Sequence, residues 1–146
     1  MSIRQLNSWD HTLGKYVGHV DYGCLLENSD KLASEVLVFM AVGLTGRWKL
    51  PCAFFCTDHM NAEQQTTLVT DCISRLYESG ITVRALSCDE TEVNAKMFRK
   101  LGMTLDDSAV HPCNVSVYVY GIFDVCHMLK LVRNAFADDQ YLGMVL

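Results

Sequence analysis

Apolar positions divide the chain into segments of different period. Residues 35–44 are nearly all apolar and rich in β-formers, the pattern of a central strand buried on both faces. Thr45-Gly46 is the expected turn, and residues 51–57 form the next strand, with Pro51 at its first position where a missing N–H is tolerated. Upstream, residues 2–5 read as the tail of a strand. Residues 16–23 alternate and carry glycines, which predicts a short strand or hairpin arm, and residues 27–31 form a polar loop. The period then lengthens. Asn61-Ala62-Glu63-Gln64 is a capping box, with Asn61 as N-cap and Gln64 reaching back. Leu68, Val69, Cys72, Ile73, Leu76 and Tyr77 follow as one apolar stripe, and Gly80 suits the position just past the helix end.

From residue 81 strands and helices alternate. Residues 81–86 read as a strand that runs out at Asp89. A helix over residues 91–101 places Val93, Met97, Phe98 and Leu101 on one face and stops at Gly102. Residues 104–114 form a polar loop, with Asp106, Asp107 and Pro112. Residues 115–120 alternate as a strand. Asp124 caps a last helix with Val125, Met128, Leu129, Val132, Ala135 and Phe136 on one face, and no pattern continues past Asp138. An antiparallel meander feeding βα units gives an α/β fold, a mixed sheet with helices on its faces. In that arrangement the strands near residues 36–44, 52–56, 81–87 and 115–120 are neighbours in one sheet, and Val38 and Phe54 belong to its core.

A chain of 146 residues is one domain's worth. Its longest clean apolar run, residues 36–44, is too short to span a bilayer, and no signal peptide opens it. A net charge of -5 and a pI near 5.4 exclude an overall basic face, so any DNA contact is local or comes from other segments. Seven cysteines scattered through apolar stretches indicate reduced, mostly buried thiols and an intracellular setting. Cys52, Cys56 and His59 have a spacing loosely like half a zinc site, but Cys113, Cys126 and His127 supply no second knuckle. The plainer account puts Cys52 and Cys56 on one side of a strand with Phe54.

The chemistry concentrates at Asp89. A carboxylate at the C-terminal end of a strand points into the crevice where α/β sheets bind ligands, commonly a divalent metal. The same residue type before an apolar periodic stretch also caps helices, and both readings stand on local pattern. On local pattern Asp124 reads as an N-cap and His127 as a surface histidine. Lys130 and Arg133 lie at i and i+3 on the polar side of their helix, suited to phosphate or simply to solvent.

Three motifs, in order, resemble P-element-type transposases. They are Val38-Phe39-Met40-Ala41-Val42-Gly43-Leu44 followed by Trp48 to Phe55; Cys88-Asp89 with Asn94, Phe98, Leu101 and Gly102; and Asp124-Val125-Cys126-His127 running on to Asn134. The resemblance spans residues 1–137 as one partial transposase-derived domain, and leaves residues 138–146 as a tail or the start of an inserted domain. It implies an RNase H-like fold, truncated at the first strand, and two Mg²⁺ ions held by two Asp and one Glu for DNA strand cleavage and transfer. Carboxylates suit Mg²⁺, a hard cation that takes oxygen ligands. Asp89 matches the second acidic residue. Met1-Ser2-Ile3 matches only the end of the Asp-Glu-Met-Ser-Ile segment that carries the first, and the third lies past this chain. Glu90 stands where the family has Gly. The resemblance further implies metal contact at Asp124, DNA contact at His127, Lys130 and Arg133, and a nuclear location. With one triad residue present, the expected chain is an inactive fragment or remnant. The alternatives are a catalytically dead module binding nuclear proteins or a full-length transposase and, last, a small zinc domain.

Overall fold

Asn61 begins the longest helix, α1 (Ala62–Glu78), through the expected reciprocal box. Its Oδ1 accepts from the N–H groups of Glu63 and Gln64 at 3.0 and 2.9 Å, and its own N–H donates to Gln64 Oε1 at 3.1 Å. The helix closes at Gly80, whose φ of 84° is open to glycine. Ile81 N–H reaches back to Leu76 C=O at 2.8 Å and Gly80 N–H to Tyr77 C=O at 2.9 Å, which satisfies carbonyls the helix leaves exposed. Asn61→Ala is expected to lower stability by about 1 kcal/mol, read as a shift of the urea midpoint at constant slope.

The computed structural model describes residues 1–23, 25–26, 29–104 and 107–138. It divides into two compact units, Met1–Arg75 and the chain from Leu76 onward. Among the described residues no helix is long and apolar enough to cross a membrane.

The first unit is built on β5 (Glu35–Val42) and β6 (Lys49–Thr57), an antiparallel pair. Before them come the hairpin β1 (Ser8–Asp10) with β2 (Lys15–Val17) and the pair β3 (His19–Val20) with β4 (Ser29–Leu32). The sequence reading needs correction here. β4 lies in the expected polar loop, and Pro51 is third in β6, not first. Pro51 sits opposite Met40, where the register shifts between Phe39 and Met40, so the irregularity falls at the residue that lacks an N–H. One face of this ladder is core: Leu37, Phe39 and Phe55 pack against Val20, Tyr22 and Leu68. Strand alternation sends Val38 and Phe54 to the other face, where they are 45% and 71% exposed, so neither is a core residue and β5 is not buried on both sides. At the start of β5 the far edge is paired with the first residues: Ser2 bridges Glu35, and Val36 N–H donates to Met1 C=O at 2.8 Å.

The second unit holds β7 (Ala85–Cys88), α2 (Glu92–Lys100), β8 (Ala109–His111), β9 (Asn114–Phe123) and α3 (Val125–Asp138). The sheet order is β7-β9-β8, with β7 parallel and β8 antiparallel to β9. β8 falls in the expected polar loop, and β7 starts later than expected, at Ala85. Among the described residues no ladder joins β5–β6 to β7–β9–β8, so the four expected strands do not form one hydrogen-bonded sheet. Residues 81–84 are not strand, and β7 takes β9 as its partner.

α2 buries Asn94, Met97 and Phe98. The Phe98 ring lies 5.3 Å from that of Phe123, and a Cβ on Gly121 would come within 3.2 Å of the Phe98 ring and of the Met103 sulfur, so the close packing of helix on sheet uses the missing side chain. His111, in β8, is 1% exposed. Its Nδ1 accepts from Cys113 N–H at 3.1 Å and its ring lies 5.0 Å from Tyr77, whose hydroxyl accepts from Asn114 Nδ2 at 3.1 Å. α3 differs from the other helices, because Val125, Leu129, Val132 and Phe136 on its apolar stripe are each at least half exposed.

Candidate functional site

β7 and β9 run parallel in a register that sets Cys88 opposite Phe123. The next step also pairs, since Asp124 N–H donates to Cys88 C=O at 2.8 Å. Asp89 and Asp124 therefore leave neighbouring strands at one sheet edge, where strands lie about 4.8 Å apart. It is also the carboxyl end of both strands, the side on which α/β sheets bind ligands.

The two carboxylates are held differently. Asp89 is half-buried and does not cap α2. Thr91 does, in an extended conformation (φ −87°, ψ 155°), with Oγ1 accepting from Asn94 N–H at 3.3 Å. Asp89 Oδ1 instead accepts from Asn94 Nδ2, which also donates to the Asp89 carbonyl at 3.1 Å. Asp124 is exposed and caps α3, its Oδ1 accepting from Cys126 N–H at 3.0 Å. Each carboxylate thus has one oxygen tied to the start of the following helix. Among the described residues the other has no protein partner. Burial and the neighbouring Asp89 charge push the Cys88 thiol up to about 11, so it stays protonated and adds no thiolate.

The remaining candidates are spread more widely. His127 is half-buried near the start of α3; Lys130 and Arg133 are exposed on it, with the Arg133 guanidinium donating to Asn134 Oδ1 at 2.9 Å. Glu90 is exposed. Cys52 and Cys56 are half-buried and the His59 side chain is 87% exposed. Among the described residues no three His, Cys, Asp or Glu side chains gather into a metal-binding group. The six described cysteines are unpaired, four half-buried and two, Cys113 and Cys126, exposed, so the expectation of mostly buried thiols is too strong.

The partner of Asp89 was visible in the sequence only as a motif residue. The buried phase of α2 is Asn94, Met97 and Phe98, while Val93 is 36% exposed, one position off the apolar reading. A polar residue on the inner face, five residues after the strand-end Asp, is the signal.

The donor chemistry fits one hard divalent cation. Two aspartates from adjacent strands can each offer an oxygen, and Mg²⁺ keeps several waters when few carboxylates are present. It does not fit two closely spaced ions, which need more bridging oxygens than a pair of carboxylates supplies.

Comparison with known proteins agrees with this layout. The chain is 32% identical over 152 aligned residues to the human DNA transposase THAP9, covering 99% of this chain and 17% of the human protein. It is 27% identical over 98 residues to the Drosophila melanogaster transposable element P transposase, covering 66% of this chain and 12% of that protein. The solved Drosophila P element transposase strand transfer complex matches in fold with a TM-score of 0.74 at 22% identity, over 94% of this chain and 28% of that one. The chain therefore spans less than a third of each of these relatives, and the fold is a mixed α/β one like the RNase H-like region of the transposase. The family described as TNP-like, RNase H N-terminal domain matches residues 1–102, and the chain belongs to it.

Proposed function

We propose that residues 1–137 are the RNase H-like part of a P-element-type DNA transposase, and that Asp89, with Asp124, contributes to its divalent-metal site. The observation that carries this reading is the parallel register of β7 and β9, which delivers both carboxylates to one sheet edge. A divalent ion held there would polarise phosphoryl oxygens in strand cleavage and transfer. What the chain itself does is orient. Short hydrogen-bonded turns hold Asp89 and Asp124 by one oxygen each. His127, Lys130 and Arg133 lie on the helix that Asp124 begins, and their proposed role is contact with DNA phosphates. The proposed partner is DNA, together with the rest of a transposase, and the proposed location is the nucleus.

The described residues by themselves are expected not to cut DNA, because two carboxylates fall short of a two-metal set. Mn²⁺ added to the labelled protein should broaden the amide signals of residues 89 and 124, and Asp89→Ala should abolish that broadening. Incubation with supercoiled DNA in Mg²⁺ or Mn²⁺ should leave it un-nicked. Nicking lost in both Asp89→Ala and Asp124→Ala would reveal a working two-carboxylate site. Absence of any broadening near Asp89 would overturn the metal reading.

A further inference from the structure

We infer that Asn94 is a positioning residue for Asp89: its buried side-chain amide fixes the carboxylate's rotamer and leaves one oxygen to a hard cation. Asn94 is 8% exposed, and a buried amide is costly unless its hydrogen bonds are made. Its Nδ2 carries two protons and donates to both the main-chain carbonyl and Oδ1 of Asp89. This clamps the residue at both main chain and side chain.

The start of α2 does not require that clamp. Thr91 already caps it, accepting from Asn94 N–H, and Ala95 N–H bonds Thr91 C=O at 2.9 Å. Nor does the clamp serve the core, since an apolar residue would fill the same inner position of α2 without a polar atom to satisfy. The side chain's chemistry suits orientation. A neutral donor holds one carboxylate oxygen without neutralising the charge, whereas Lys or Arg at the same place would compete with a cation. Partners that orient a metal's carboxylate ligands typically set its affinity as well as its geometry. The cation part of this inference rests on the metal reading above; the rotamer part does not.

Three-bond ¹⁵N–¹³Cγ and ¹³C′–¹³Cγ couplings of Asp89, measured on the full labelled chain, report its χ1 directly. The wild type should show single-rotamer values, and Asn94→Leu, chosen to keep the core filled, should show averaged ones. Thr91→Ala, which removes the cap but not the amide, should lower stability and leave the Asp89 couplings unchanged. Averaged couplings in the wild type, or wild-type couplings in Asn94→Leu, would overturn the inference even if a second variant, Asn94→Ala, failed to fold. Mn²⁺ titration followed by amide broadening forms the second arm. Asn94→Leu should weaken binding by about 10–100-fold. Wild-type Mn²⁺ affinity in that variant would refute positioning toward the cation. No Mn²⁺ binding in the wild type would sink the metal reading, with the couplings still judging Asn94.

Discussion

Phe98→Ala lowers the unfolding free energy by about 3–5 kcal/mol, while Phe54→Ala changes it by no more than about 0.5 kcal/mol. The two residues are the same amino acid, and what separates them most is burial. Phe98 is 5% exposed, lies 5.3 Å from the Phe123 ring and packs over Gly121, so truncation leaves a cavity under α2 that neighbouring side chains fill only in part. Phe54 is 71% exposed and its removal opens no cavity. Urea unfolding of both variants by circular dichroism is the measurement. A loss for Phe54→Ala comparable to that for Phe98→Ala would mean that the outward face of β5–β6 is covered in solution.

The second large effect is on pH. Burial, and to a lesser extent the charge of Arg84, lower the His111 pKa below its ordinary value of 6.5. The folded state therefore favours the neutral ring, whose Nδ1 accepts from Cys113 N–H and whose buried Nε2 has no partner among the described residues. The unfolded chain takes up a proton as pH falls through 6.5 and the folded one resists. Stability is full above that pH and declines below it, until the folded ring titrates as well. The limiting slope for one such group is about 1.4 kcal/mol per pH unit. His111→Gln keeps an acceptor for Cys113 N–H and removes the titration, so its urea midpoint should lose this component of the decline between pH 7.5 and 5.5. Equal pH dependence in wild type and variant would remove His111 as its source.

Local rules were legible where they are self-contained. The Asn61–Gln64 box and the Gly80 stop depend on residues a few positions apart, and both appear as read. The α1 stripe was equally legible, with Leu68, Val69 and Ile73 buried on one phase. Long-range facts were not. Nothing in residues 35–44 tells which of two apolar faces is covered, and the core took Phe39 and left Val38 out. The short strands β4 and β8 come from polar segments whose only strand signal is the partner across the ladder. At the candidate site, Asp89 and Asp124 were identifiable as strand-end carboxylates, but their shared edge depends on the β7–β9 register. That Asp89 is not the cap of α2 also had to wait for Thr91, because Asp and Thr two residues apart both qualify as caps by pattern.

The raised Cys88 thiol has a consequence for oxidative chemistry. With its pKa pushed up to about 11, the thiol stays protonated at neutral pH, and it is the thiolate that peroxides attack. Burial is the larger cause of that suppression, and the negative charge of Asp89 adds to it, so both disfavour conversion of the thiol to sulfenic acid. A sulfur at the end of β7 can thus sit beside a polar edge without becoming its weakest point under oxidative stress. Cys126, two residues after Asp124, is exposed and has no such burial.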